Sequence, residues 1–275
     1  MKINTSKLIR KIINLLVIAL ATISIIPFLL MFLMATQDNQ TIFAGKILTF
    51  GRSLSENFQT VAEAEYFRSF LNSLFVSVSS TLLTVFFGAM AGFGFAKYEF
   101  RHKKIIYQLV ILTMLVPMEV GLVAFVWEMK ILHLSKTFLP LILPNMANAF
   151  SVFWMTQYIK DAFPYELIES GRIDGCSDMG IFLRMALPII KPAIFTLSVI
   201  SFLQSWNNYL LPMIMINDPK KFTVPLVIAS IGNMFVADYG ARLLAVAAGI
   251  LPIMIVFILF SRQITEGLAS GAVKG

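Results

Sequence analysis

Chemistry in this chain rests on neutral hydrogen-bonding groups, because its titratable residues do not form a reactive set. Cys176 is the single cysteine, so no intramolecular disulfide can form. His102 and His133 have no His-x-x-x-His or Cys-x-x-Cys spacing around them, which leaves a metal site without ligands to build from. The sequence has no G-x-x-x-x-G-K-[ST] phosphate loop and no G-x-S-x-G nucleophile elbow. The chain is therefore not expected to be an enzyme or to carry a cofactor. If ATP drives it, a separate subunit must bind the nucleotide.

What the residues do offer is a polar arc. At helical spacing Ser198, Ser201, Gln204, Ser205 and Asn208 share an arc of about 120°, opposite Phe195, Val199, Phe202, Trp206 and Leu210. Such a division supports two readings. Amides and hydroxyls facing a hydrated path could exchange hydrogen bonds with a polar solute, or they could join helices to one another. Asn145 and Asn148 invite the same pair of readings, since Pro140 and Pro144 just before them loosen the helix. Ser201, Gln204, Asn208, Asn145 and Asn148 are thus the candidate solute path. Glu119, after Pro117, falls about 20 Å along its run at 1.5 Å per residue. A carboxylate in lipid costs a few kcal/mol, so it should face protein, water or the outer interface. No second acid or base in the runs supplies a proton relay. Ser73, Ser77, Ser80, Thr84, Gly88, Ala91 and Gly92 recur at three- and four-residue steps, the pattern of a close helix-packing face.

The elements that must position these groups are membrane helices. Hydrophobic residues make up 58% of the 275 and charged residues 13%, with a mean hydropathy of +0.81, outside the range of soluble domains. Apolar runs at 12–35, 70–96, 105–126, 137–158, 193–216 and 242–261 are long enough to cross about 30 Å of hydrocarbon. An all-α, multi-pass membrane protein of six spans follows, organised as one domain over 1–275. The first run is longer than a signal-peptide core and lacks a small-x-small site, so it is expected to be a retained span. Placing the N-terminus inside assigns 14 of the 22 Lys and Arg residues to the cytoplasm, as the positive-inside bias requires, and returns the C-terminus to the same side. This bias and attraction to anionic lipid account for the charge of +7. No nucleic-acid surface is needed.

One stretch, 159–192, is helix-forming yet too charged to span. Pro164 suits the first position of a helix, and Glu166 its first turn. A break is expected at Asp174-Gly175, after which Ser177 can cap a second helix. Met179, Phe182, Leu183 and Ala186 share one side of that helix, and Leu187-Pro188 ends it before Pro192 opens the next run. The apolar stripe could fill a groove in a partner or pack on the chain's own spans.

This segment resembles the EAA loop of ABC-transporter permeases through Glu169, Asp174, Gly175, Pro188 and Pro192. The resemblance continues in Ser205-Trp-Asn-Asn-Tyr-Leu-Leu-Pro212, in Asn217-Asp-Pro219 with Thr223-Val-Pro225-Leu, and in the tail Glu266-Gly-Leu-Ala-Ser-Gly-Ala-Val-Lys-Gly275. Together these are similar to the smaller permease subunit of carbohydrate importers of the maltose-transporter type. The resemblance implies a bacterial inner-membrane permease that moves a sugar-type solute by alternating access. Its implied partners are a second homologous permease, two cytoplasmic ATPase subunits that bind and hydrolyse the ATP, and an extracytoplasmic solute-binding protein. It further implies that Glu169, Asp174, Gly175, Ser177, Phe182, Leu183 and Pro188 form the ATPase-coupling surface, with Phe182 filling the partner's groove and the tail also reaching that interface. Outer loops 36–69 and 217–241 would receive the binding protein, with Lys220 and Lys221 either contributing to that contact or forming an ordinary solvated turn. Ser170 and Gly171 depart from the family's usual alanines, which suggests a looser first loop helix. A secondary transporter or channel for a small polar solute is the alternative class, although no internal repeat or membrane acid pair speaks for it.

Overall fold

The computed structural model describes residues 5–232 and 237–272, with side-chain surroundings from Ile9 to Phe260 apart from Met118. Among the described residues there is no strand, and one β-bridge pairs Gly232 with Ala237. The all-α expectation holds. α1 (Thr5–Met34) leads through α2 (Asn39–Phe43) and α3 (Leu54–Glu63) to the long α4 (Tyr66–Lys97). α5 (Lys103–Thr113), α6 (Leu122–Ile131), α7 (Leu139–Ile142) and α8 (Ala149–Ala162) follow. The polar stretch holds α9 (Glu166–Ile173), α10 (Asp178–Ile181) and α11 (Leu187–Ile189), after which come α12 (Lys191–Trp206), α13 (Leu210–Met215), α14 (Val224–Ser230) and α15 (Tyr239–Ala272).

Three segments, Ile9–Met34, Tyr66–Lys97 and Tyr239–Phe260, are single helices long and apolar enough to cross a membrane. The other three apolar runs are divided, which length alone did not reveal. Run 105–126 leaves α5, passes an extended Pro117 (φ −59°, ψ 133°) and takes a 3-10 turn at Met118–Gly121 before α6; proline disfavours helix in the residue before it and donates no bond. Run 137–158 passes from α7 through a 3-10 turn, Leu143–Ala147, which contains Pro144, into α8. Run 193–216 leaves helix after Trp206 and resumes at Leu210.

The residues cluster into two compact units, one running to Tyr66 and including Val227–Leu251, the other comprising Phe67–Leu226 and the segment from Pro252. In the first, α1 exposes apolar side chains such as Leu15 (70%) and Leu20 (64%) on every side, a surface suited to lipid or another membrane subunit. Past α1 the chain closes around a buried polar knot. Gln37 is 1% exposed and its Nε2 donates to the carbonyls of Lys46 (2.9 Å) and Thr49 (2.5 Å). Asn57 Nδ2 donates to the carbonyls of Ala35 (2.9 Å) and Gln37 (3.0 Å). Two bonds join Asn39 to the start of α15: Nδ2 donates to Ala237 O, and Oδ1 accepts from Tyr239 N, both at 2.8 Å. Gly240 is obligatory here, since a Cβ would lie 2.1 Å from Gln37 O and 2.6 Å from Asn57 Nδ2.

In the second unit the small-residue face of α4 is a packing seam. Ser73, Ser77, Ser80 and Thr84 are each at most 2% exposed. Ser73 Oγ accepts from Val224 N (2.7 Å), and Thr84 Oγ1 donates to Asn145 O (3.0 Å). A Cβ on Gly88 would meet Ser151 Oγ at 2.5 Å, and one on Gly92 would meet Met155 Cβ at 2.6 Å. The glycines therefore set how closely α4 and α8 approach. One apolar core gathers around Met155, Ile159, Phe163 and Phe182, and another around Val76, Leu141, Leu211 and Met215.

Two helical glycines should separate packing from propensity. Gly240→Ala should lower the thermal unfolding midpoint of the detergent-solubilised protein, because overpacking costs about 1–3 kcal/mol or more against backbone. Gly94→Ala has nothing within 4 Å of its new Cβ and should be neutral or stabilising by up to about 1 kcal/mol.

Candidate functional site

The polar loop is built from local signals and then clamped by tertiary packing. α9 ends in a paired closure: Cys176 N donates to Gly171 O (2.9 Å) and Gly175 N to Arg172 O (3.1 Å), with Gly175 at φ +77°. Left-handed backbone at this position favours glycine, and no atom lies within 4 Å of where its Cβ would be. Its requirement is conformational, not spatial. Ser177 then caps α10, its Oγ accepting from Gly180 N at 3.1 Å. Gly171, one of the departures from the family pattern, sits under Ile181; an added Cβ would lie 3.0 Å from Ile181 Cγ1 and 3.2 Å from Met185 Sδ. The helix loses propensity there and gains close contact with α10.

Beyond α10 the backbone widens into a π-turn at Phe182–Ala186, with Leu187 N bonded to Phe182 O. Pro188 follows within one turn. Proline lacks an N–H and crowds the carbonyl four residues earlier, and a wider turn relieves both problems. The rod Asp178–Ile189 then meets Lys191–Trp206 at 81°, so the loop helix lies across the direction of α12. Pro192 sits in the first turn of α12, where its missing N–H carries no penalty.

Phe182 is placed differently from its expected role. Rather than projecting to a partner, it is 2% exposed, with its ring 5.5 Å from Phe93 and 6.5 Å from Phe86. Phe93 also contacts Phe163 at 5.8 Å and Tyr98 at 5.5 Å. Ile181 and Ala186 are fully buried beside it. The apolar stripe thus divides: its inner part anchors the loop to α4 and α8, while Met179 (48%) and Leu183 (46%) face outward, as does Ile173 (87%) at the end of α9. Glu169, Asp174, Gly175, Ser177 and Pro188 are exposed. Helical spacing marked the stripe but could not tell its inward from its outward members.

A charged contact supports the same junction. Arg172 Nη2 donates to Asp178 Oδ1 at 3.2 Å, joining α9 to α10, and its guanidinium lies 5.7 Å from the centroid of the Tyr98 ring. The Asp178 hydrogen bond and charge hold the Arg172 pKa above its usual value. Burial pushes the Tyr98 phenol up to about 12, with the charge of Asp178 adding to it. Its buried oxygen has no hydrogen-bond partner of good geometry, and the nearby Asp178 carboxylate raises its pKa further.

The candidate solute-path residues occupy several kinds of position. Asn148 Oδ1 accepts from Ser151 N at 2.8 Å and caps α8. Asn208 Oδ1 accepts from Leu211 N at 3.3 Å in the first turn of α13. Asn145 Nδ2 donates to Leu141 O (2.9 Å) and lies 3.4 Å from Ser80 Oγ. Ser201 is 8% exposed, on the same helix as buried Val199, Phe202 and Trp206, whereas Gln204 is exposed. Asn148 and Asn208 therefore mark the breaks in the divided runs. Glu119 is exposed in the 3-10 turn before α6. Between α6 and the segment after α13, a cavity of about 460 Å³ is lined by Lys130, Lys136, Lys221 and Asp218 among others. The side chains of the C-terminal tail lie outside the described residues.

Anchoring and presentation should respond oppositely to truncation. Phe182→Ala should destabilise the protein by about 3–5 kcal/mol, read as a large drop in thermal midpoint. Leu183→Ala, on the exposed side, should stay within about 1 kcal/mol.

Residues 84–268 match the family described as the inner membrane component of binding-protein-dependent transport systems. The arabinooligosaccharides transport system permease protein of Bacillus subtilis (strain 168) is 36% identical over 210 residues, 76% of this chain and 74% of its own length. The lactose transport system permease protein of Rhizobium radiobacter is 31% identical over 255 residues, 92% of each chain. Among solved structures, a bacterial ABC transporter that imports the acidic polysaccharide alginate superposes with a TM-score of 0.79 over 95% of this chain and 98% of its own, at 18% identity, which establishes a shared fold. With two-thirds of its length matched and the polar loop inside the matched region, the chain belongs to the inner-membrane permease components of binding-protein-dependent ABC transport systems.

Proposed function

We propose that this chain forms one half of the membrane conduit of a sugar importer and receives the power stroke through its polar loop. The supporting observation is the bent pair Asp178–Ile189 and Lys191–Trp206 at 81°. One arm is clamped to the ends of α4 and α8 by the Phe182 cluster; the other is α12, which carries the candidate polar arc. Movement of the first arm by closing ATPase subunits is passed to α12 with little slack, since Ile190 at the junction is fully buried. The contact surface for the ATPase is the exposed set Glu169, Asp174, Ile173, Met179 and Leu183. Phe182 supports it from behind.

The solute path in this reading runs along the breaks at Asn148 and Asn208 and past Gln204. Irregular backbone at membrane depth is tolerated only where protein covers it or water reaches it, and the asparagine caps hold such breaks open without disordering them. A second homologous permease completes the path, two cytoplasmic ATPase subunits bind and hydrolyse ATP, and an extracytoplasmic binding protein delivers the solute to the outer loops. Both relatives described above are named for oligosaccharide or disaccharide transport, which supports a sugar of that class as cargo.

The reconstituted transporter tests the lever. Gly175→Asn should retain binding-protein-stimulated ATPase activity, because asparagine tolerates the left-handed backbone. Gly175→Val should lose most of that stimulation while the subunits remain assembled. Equal stimulation in Gly175→Val and the native protein removes the loop from coupling. In a second measurement, a cysteine introduced as Leu183→Cys should cross-link to an ATPase subunit, and a cross-link formed only within this chain refutes the contact surface.

A further inference from the structure

A notch of about 650 Å³ opens between the ends of α4, α5 and α8, on the side where α8 continues into the loop. Its charged wall holds Lys103, Lys104 and Lys160, with His102 beside them. Only one carboxylate, Glu99, shares the lining; it pairs with Lys103 at 2.7 Å, leaving the wall with a net positive charge. Phe95, Phe100 and Tyr107 form the apolar part of the lining. Their rings touch, Phe95 lying 5.7 Å from Phe100 and 5.2 Å from Tyr107.

The arrangement is braced. Lys160 Nζ stands 5.7 Å from the Tyr107 ring centroid, the Tyr107 hydroxyl accepts from Gln157 Nε2 at 3.1 Å, and Lys97 Nζ donates to the Lys160 carbonyl at 3.2 Å. Cations are therefore held at the mouth of an aromatic notch at the end of a membrane helix. Immediately along α5, Ile105 (56%), Leu109 (57%) and Leu112 (54%) present an exposed apolar flank.

We propose that this notch binds the headgroup of an anionic phospholipid, with Lys104 and Lys160 on the phosphate and an acyl chain along Ile105, Leu109 and Leu112. The chemistry selects this occupant. A cationic cluster at a helix end attracts phosphate, the aromatic rings suit the depth of the headgroup, and the continuous apolar flank gives the attached chain a surface that a free phosphate ion would leave unused. Zwitterionic lipid would gain less, because its ammonium opposes the lysines. The loop's placement on the cytoplasmic side, part of the functional reading above, makes the lipid one of the inner leaflet; the notch itself is defined without it.

The assembled transporter, purified in mixed phosphatidylglycerol and phosphatidylethanolamine, provides the test by native mass spectrometry. The native complex should retain phosphatidylglycerol in preference to phosphatidylethanolamine. Lys104→Gln with Lys160→Gln should weaken that preference on the order of tenfold or more, while Lys104→Arg with Lys160→Arg should keep it. Unchanged retention in the glutamine pair overturns the proposal. Displacement of the bound lipid by soluble glycerol 3-phosphate at equal concentration assigns the site to a free phosphate compound instead. Loss of the second permease from the glutamine pair shows the notch to be a protein interface and equally overturns it. Because transport itself is not the readout, a failed lever and a failed lipid site give different results.

Discussion

The insertion of Phe182 between α4 and the loop is the contact on which the arrangement depends. A buried aromatic ring contributes several kcal/mol through apolar area alone, and this one is joined by Phe93, Phe163, Ile181 and Ala186 in a single core. Without the clamp the loop helix would lose its packing on α4 and α8 and, in the proposed mechanism, its means of passing on motion. With it in place, the exposed side chains of the loop are held at a fixed distance from the ends of α4 and α8. In the proposed lever, the 81° turn at Ile190 is what passes displacement of the loop helix to α12.

Backbone hydrogen bonding is the second constraint. Dividing an apolar run inside a membrane frees carbonyl and N–H groups that lipid cannot satisfy. The chain meets this with side chains placed at the breaks: Asn148 on Ser151 N, Asn208 on Leu211 N, and Asn145 on Leu141 O. The same residues that look like a solute path in sequence thereby hold the helix ends together. A polar conduit and a set of caps are compatible uses of one residue type, since an amide carries donors and acceptors on different atoms.

Much of the loop was legible from local chemistry. Gly175 ends α9 because a left-handed position favours glycine, and Ser177 starts α10 because a hydroxyl caps exposed N–H groups; both effects act over a few residues and leave a mark in the sequence. The small-residue face of α4 was legible for the same reason, as close approach demands small side chains at helical spacing. The direction of Phe182 was not. Met179, Leu183 and Phe182 have similar apolar character, and only the positions of Phe93 and Phe163, distant in the chain, make one of them inward. The Gln37 and Asn57 knot was equally hidden, because its bonds run to backbone carbonyls that any residue supplies.

Composition and hydropathy by themselves determined that the chain is helical and embedded in a membrane, and the separated motifs determined its family, since hydrophobic length and short-range turn chemistry are written locally. Tertiary structure alone decided which apolar residues anchor and which present themselves, where three of the runs divide, and how the loop helix is set across α12. Those outcomes depend on which distant side chains come to occupy the same space, and close packing permits few arrangements of them.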